Sequence, residues 1–306
     1  MTKKVSAKQK PSVAIIGAGR LGQALALALQ SSGYPIIALV AQRRQKAEKA
    51  ATLLHKRLNK TKPPALSFAA NELAKLPQTD LVLISTPDDA IAATADNLSR
   101  FLPARKGTTI LHTSGALSSS VLAPLAKRGF ETGSIHPLVS VSDPVSGAAA
   151  LHGAFFCLEG SRKASLLSAS IVRDLGGTGF AIKPEHKALY HAAAVMAAPH
   201  VTALVDLAIE SLAACGLSKC KAQQVFVPLL ESTVNNLKTS NPQQALTGTF
   251  ARGDVATVRQ HLDSLSGKQF AEALEVYRLL GRHSLRLAEK NRLDPSLVAT
   301  IRKLLE

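Results

Sequence analysis

The chain has 306 residues, 46% of them hydrophobic, with 37 Lys and Arg against 21 Asp and Glu and a formal net charge of +16. That length favours two domains over a single core. Three cysteines (Cys157, Cys215, Cys220) without metal-ligand spacing exclude a disulfide framework and fit a reducing, cytoplasmic setting, with no metal site expected.

Residues 1–62 hold thirteen Lys and Arg against one acid, Glu48. A basic surface can draw nucleic acid nonspecifically. The sequence has no Trp, only three Tyr, and no aromatic interleaved with these charges, so a base-stacking platform is not expected. The charge reads as a solvated, disordered tail over 1–10 and a helix face beyond it. The opening MTKKVSAKQKPS lacks the apolar segment of a signal peptide. No uninterrupted run of eighteen apolar residues is found, so no membrane span is expected.

Val13 to Ile16 predicts a buried strand, followed by Gly17-Ala18-Gly19-Arg20-Leu21-Gly22 and an Ala/Leu-rich helical pattern. Strand, glycine turn and helix in that order are the context a GxGxxG match requires. Gly17 permits the sharp turn, Gly19 lets a pyrophosphate approach the backbone, and Gly22 allows close helix–strand packing, with Arg20 and Leu21 between them. A second strand, Ile36 to Val40, ends on Ala41-Gln42-Arg43-Arg44. An NAD site places a carboxylate there. Two guanidiniums suit a 2′-phosphate instead, which points to NADP(H); a solvated helix start is the alternative.

A helix is predicted over 43–59, a loop over 60–64, a short strand over 65–68, and a brief helix capped by Asn71. Asp80 to Ser85 reads as a buried strand closed by Thr86-Pro87-Asp88. That strand end faces the cofactor in a doubly wound sheet. Pro87-Asp88 with Asp88 as N-cap is either a helix start or a cofactor contact.

Thr108 to Leu111 delivers His112-Thr113-Ser114-Gly115, and Gly133 to Ile135 delivers His136-Pro137. Two histidines just past strand ends put titratable groups where nicotinamide and substrate would meet. Strands at 154–158 and 179–182 flank a helix over 161–175. From Pro184 the pattern is helical, over about 184–214, 218–238, 254–265, 267–290 and 295–305. The expected fold is α/β: a doubly wound NADP-binding domain over 11–182, then an all-α domain over 183–306.

In the first of those helices Lys187 and His191 stand four apart on one face, among alanine, valine and methionine. A lysine there, its pKa lowered by burial, can polarise a carbonyl and protonate the alkoxide, with His191 orienting it or relaying the proton. The alternative is an exposed lysine and a packing histidine. Pro199 should kink the helix beside His200. Arg252, in TGTFARGD, can clamp a substrate carboxylate or phosphate or meet a second subunit; a plain turn capping the next helix also explains that stretch.

GAGRLG, STPDD, HTSGALSS, GSIHPL, KALYHAAAVMAAPH and LTGTFARGDVATV, in this order, resemble the bacterial Rossmann-like proteins carrying domain of unknown function 2520. The resemblance covers nearly the whole chain beyond the tail. It implies an NADP-binding N-terminal domain and a helical C-terminal domain used for dimerisation, and it names no substrate. More distantly the layout is similar to ketopantoate reductase, pyrroline-5-carboxylate reductase and the 3-hydroxyacid dehydrogenases. In two of those groups a helical lysine followed four residues later by asparagine assists hydride transfer. Lys187 falls at that lysine, with His191 in place of the asparagine. His136-Pro137 resembles the HP pair of prephenate dehydrogenases. His200 stands where the closer family usually has asparagine, after Pro199 instead of serine.

The expectation is therefore an NADP(H)-dependent oxidoreductase acting on a small carbonyl, imine or hydroxy acid in the interdomain cleft. Lys187, His191 and His136 are its catalytic candidates. Thr86, Pro87 and His112 join the glycine turn and Arg43/Arg44 around the cofactor, and Ser114, Gly115 and Arg252 face substrate. A homodimer through the helical domain is expected. The alternative is an NADP(H)-binding sensor without turnover; a weaker one is nucleic-acid binding through the basic first third.

Overall fold

The computed structural model describes residues 9–58, 64–103 and 107–306. Residues 1–8 of the predicted tail and most of the loop predicted over 60–64 lie outside them. The chain forms two compact units, Met1–Met196 and Ala197–Glu306.

The first unit is built on an eight-stranded sheet. Its strands are β1 (Val13–Ile16), β2 (Ile36–Ala41), β3 (Leu66–Ala69), β4 (Leu81–Ile84), β5 (Thr109–His112), β6 (Glu131–Pro137), β7 (Phe155–Gly160) and β8 (Thr178–Ala181), in spatial order 3-2-1-4-5-6-7-8. The first six run parallel, β7 reverses against β6, and β8 is parallel to β7. Strands β1, β4 and β5 are buried along their whole length, as parallel strands covered on both faces must be.

Helices α1 (Arg20–Ser31) and α2 (Arg44–Leu58) cover one face, and α3 (Asp88–Phe101) and the short α4 (Ala123–Ala126) cover the other. Helices α5 (Pro144–Ala150) and α6 (Arg162–Asp174) join α1 and α2. The apolar spacing of α1 sends Leu25 and Leu29 into the core. Each such burial is worth roughly 1.5–3 kcal/mol.

Several local expectations change. Pro87, not Asp88, occupies the N-cap position of α3. Asn71 caps nothing; Glu72 returns its carboxylate to the Ala69 amide at 2.9 Å. Helix α5, which no strand or helix prediction covered, is started by Asp143, whose carboxylate accepts from the Val145 and Ser146 amides, with Pro144 at the first position. Lys10 is tied down: its ammonium donates to the Asp174 carboxylate, which also takes the Tyr34 hydroxyl at 2.6 Å. Ser32 donates to the Asp174 carbonyl at 3.1 Å.

Helix α7 (Lys187–Ala197) belongs almost entirely to the first unit, although the change from α/β to all-α pattern comes earlier in the chain. Pro199 interrupts the helix as expected: Ala198 leaves helical geometry (φ −133°, ψ −72°) and α8 (Pro199–Ala213) starts anew. Pro184–Ala213 is nonetheless long and apolar enough, by length and composition, to cross a membrane, which a search for uninterrupted apolar runs misses. Its backbone breaks at Ala198, and Lys187 near its start is held by the Ser114 carbonyl.

The second unit continues with α9 (Lys219–Thr239), α10 (Pro242–Ala245), α11 (Thr249–Arg252), α12 (Val255–Ser264), α13 (Ala271–Lys290) and α14 (Pro295–Leu304). Its core is small: Val258, Leu262, Leu285, Val298, Ile301 and Leu305, with Phe250 and Tyr277 packed against them.

Candidate active site

The glycine turn sits between the carboxyl ends of β2 and β4. Gly17 and Ala18 donate to the Val40 carbonyl at 2.9 and 2.8 Å. Gly17 has φ +105°, and a Cβ there would lie 2.4 Å from the Ser85 carbonyl and 2.6 Å from the Thr86 amide. Only glycine allows that approach. A Cβ on Gly19 would meet nothing within 4 Å, and the first turn of α1 has no side-chain cap.

An uncapped helix N-terminus beside open space is what a pyrophosphate needs. Ser85 Oγ and Thr86 Oγ1, buried next to the turn, make no hydrogen bond among the described residues. The residues present therefore fit the phosphates of a dinucleotide. Arg20 is exposed at the start of α1, while Leu21 packs against the core. Pro87 is exposed at the head of α3.

The two arginines after β2 differ. Arg44 donates from Nε and Nη2 to Glu72 at 3.1 and 2.5 Å, and Lys75 shares that carboxylate at 3.0 Å. The Arg43 guanidinium is exposed and has no partner among the described residues. Arg43 is the better placed of the two for a 2′-phosphate.

Three strands further along the same carboxyl edge lies a cluster of titratable groups. Lys187 is 1% exposed. Its ammonium donates to the Ser114 carbonyl at 3.0 Å and to Ser134 Oγ at 2.9 Å, and no carboxylate pairs with it among the described residues. Burial lowers its pKa, against the pull of Cys157, Glu159 and Asp88.

His136, at the end of β6, places Nδ1 2.7 Å from the Tyr190 hydroxyl, and its ring meets the His191 ring edge-on at 5.6 Å. Burial first, and the Lys187 charge second, hold the His136 imidazole down to about 3. It is therefore neutral at physiological pH and is no imidazolium acid. His191 Nδ1 is buried without a partner. Both rings lean on Gly115: a Cβ there would lie 2.4 Å from His191 Nδ1 and 2.8 Å from His136 Cε1 and Nε2.

Other candidates turn out to be supports. His112 is fully buried; its Nδ1 accepts from the Ser114 amide at 3.2 Å, and burial together with Lys187 lowers it to about 4. It braces the loop, and its Nε2 is buried without a hydrogen-bond partner among the described residues. The Ser114 hydroxyl is already engaged: it donates to Asp88 at 2.8 Å and accepts from the Ala116 and Leu117 amides. Ser114 thus shapes the loop and presents its carbonyl to Lys187.

Arg252 belongs to the second unit, where Nε and Nη2 grip Asp254 at 3.0 and 2.6 Å. Asp254 heads α12 but gives its carboxylate to Arg252 instead of the helix amides. A cavity of about 450 Å³ opens at the far ends of α1 and α6, lined by Leu27, Ser31, Arg57, His152 and Leu175, away from this chemistry.

Two groups escaped the sequence reading. Tyr190 is held by His136, by the Phe180 ring at 5.8 Å and under Lys187. Ser134 anchors the ammonium. Tyr190 lies three residues beyond Lys187, a same-face spacing that could have flagged it.

A Rossmann-like domain model matches residues 2–137, and the model described as domain of unknown function DUF2520 matches residues 154–284. The chain is a Rossmann-like domain followed by a DUF2520 domain. No curated protein matches it. Among solved structures, a Bacteroides fragilis protein provisionally described as an NADP oxidoreductase is 21% identical, covering 91% of this chain and 99% of its own, with TM-score 0.72. The reductive aminase of Aspergillus terreus, solved with NADPH and ethyl levulinate, is 17% identical over 96% and 99%, with TM-score 0.61. The 1-pyrroline-5-carboxylate reductase of Streptococcus pyogenes is 16% identical over 97% and 100%, with TM-score 0.58. At these identities the likeness establishes the fold.

Proposed function

We propose that the chain is an oxidoreductase that binds NADP(H) at the Gly17–Gly22 turn and moves hydride to or from a small carbonyl, imine or hydroxy acid. The observation that carries this reading is a buried ammonium without a counter-ion, Lys187, beside a neutral imidazole, on the strand edge that also bears the glycine turn. The reductive aminase and the pyrroline-5-carboxylate reductase share the fold and by name reduce C=N bonds, which supports this substrate class.

Gly17, Gly19 and Gly22 hold the phosphates and Arg43 the 2′-phosphate. When bound, the nicotinamide supplies or accepts the hydride. Lys187, covered by the 114–115 loop, acts through its charge: it stabilises negative charge developing on a substrate oxygen. The half-buried rings of His136 and His191 are the groups able to touch substrate, and His191 passes the proton.

The test is calorimetry with NADPH and NADH, followed by loss of reduced-nicotinamide absorbance across a panel of 2-oxo acids, with and without amines, and cyclic imino acids. Tighter binding of NADPH by at least about tenfold, near 1.4 kcal/mol, is expected. Equal affinity overturns the choice of NADP(H), and no affinity for either overturns the whole reading. Binding without turnover would favour a sensor.

We also propose that the helical unit pairs with a second copy. Leu229, Val234 and Leu237 on α9 and Leu279 on α13 are each at least half exposed, large apolar side chains that a second copy would cover. Light scattering on the purified chain should return twice its 32.2 kDa mass; a monomer there refutes the pairing.

A further inference from the structure

His136 has two ring nitrogens in different surroundings. Nδ1 lies 2.7 Å from the Tyr190 hydroxyl, with the rings at 88°. The Cε1–Nε2 edge faces Gly115, and no acceptor bonds Nε2 among the described residues. On the neighbouring strand Cys157 stands directly opposite His136 in the antiparallel register, fully buried.

A neutral imidazole carries one N–H and one bare nitrogen, and the partner of either nitrogen decides which is which. Two proton arrangements are open to this pair. In one, the imidazole Nδ1–H donates to the phenol oxygen, and the phenol proton is left without an acceptor in hydrogen-bond geometry among the described residues. In the other, the phenol donates to the bare Nδ1. The second gives the strong donor the strong acceptor. Burial raises the Tyr190 phenol above its ordinary value, so the proton it needs is present throughout the physiological range.

We infer that Tyr190 donates to Nδ1 and so locks His136 in the Nε2–H tautomer, making it a hydrogen-bond donor, and not a base, toward whatever oxygen enters beside Gly115. Tyr190 is then a positioning residue. The lock holds no charge: the phenol proton stays on oxygen and the imidazole proton on Nε2. The role of that donor in turnover rests on the hydride-transfer reading; the tautomer itself does not.

The experiment is long-range ¹H–¹⁵N correlation of the histidine rings in the full chain at neutral pH, with His136 assigned by the loss of its signals in His136→Gln. The expected pattern is a protonated Nε2 and a bare Nδ1. In Tyr190→Phe both nitrogens should shift toward the values of exchanging tautomers, while the His261 signals stay fixed. His261 is an internal control, because it makes its own pair with Tyr277. An Nδ1–H pattern in the unaltered chain overturns the inference, and that reading survives even if Tyr190→Phe fails to fold. A folded Tyr190→Phe with an unshifted His136 overturns it as well. If the panel above yields turnover, Tyr190→Phe should lower kcat about tenfold with little change in KM. The predicted tautomer in a chain that turns over nothing would leave the lock standing and remove the hydride-transfer reading.

Discussion

His136 meets Tyr190 at 2.7 Å with the rings at 88°, and in the second unit His261 meets Tyr277 at 2.8 Å with the rings at 90°. As isolated pairs the two are nearly superimposable. Their surroundings are not. His261 is an exposed residue of α12 whose bond helps join α12 to α13, with Phe250 beside Tyr277 at 5.9 Å. His136 stands at a strand end next to a buried ammonium, with its Cε1–Nε2 edge packed against Gly115 beside the His191 ring. A histidine–tyrosine bond is common structural cement. The buried charge and the second imidazole beside it are what turn one of these two into a candidate for chemistry.

Lys187→Met tests that distinction most severely. The charge goes, and turnover should fall by at least about a hundredfold, the usual scale for losing an acid–base or electrostatic group. The variant also leaves the Ser114 carbonyl and Ser134 hydroxyl without their donor, at a cost of about 1–3 kcal/mol. Calorimetry should find NADPH affinity nearly unchanged. Full activity would mean that the buried cation is not what separates the pairs.

Acid should separate them next. His136 and His112 are held down to about 3 and about 4, against an unfolded value of 6.5. Between those limits the unfolded chain binds the extra protons, so stability present above pH 6.5 is lost as pH falls toward 3. The slope contributed by each group is at most about 1.4 kcal/mol per pH unit. Urea midpoints at pH 7 and pH 5 should differ strongly, and His136→Gln should shrink the difference. An identical difference in the two proteins would contradict the burial argument.

Gly115→Ala is a smaller intrusion with no counterpart at the second pair. The added methyl must displace both His191 and His136, an overpacking cost of about 1–3 kcal/mol. Thermal melting should register it, and kcat should fall more than KM rises. Smallest of all is Tyr277→Phe, which forfeits one hydrogen bond worth about 1 kcal/mol. Its melting point should drop slightly with turnover intact; a loss of turnover would give the second pair a part that its surroundings do not suggest.

The glycine turn was legible because its signal is local. Strand, glycines and helix follow one another within Val13–Leu29, and the geometry around Gly17 agrees. Lys187 was visible as a lone cation on an apolar helix face. The groups that hold it were not, because the Ser114 carbonyl and Ser134 hydroxyl arrive from 73 and 53 positions away. Distance in the chain hid the rest in the same manner. Glu72 takes Arg44 across 28 positions, and Asp88 takes the Ser114 hydroxyl across 26. The reversed pairing of β6 with β7 sets Cys157 opposite His136. Nothing in the spacing of either strand announces that reversal. α5 is a different case: Asp143-Pro144 is a helix-start signal that was there to be read.

The Asp174 carboxylate has a practical corollary for anyone handling this protein. It fastens the approach to β1 through Lys10 and the approach to β2 through Tyr34, while its own carbonyl holds Ser32 at the end of α1. Trimming the leading segment as though it were dispensable, by protease or by shortened expression vector, would strip the cation from that knot and leave the acid to the phenol alone. A cut placed ahead of Gln9 spares it; a cut two residues later does not.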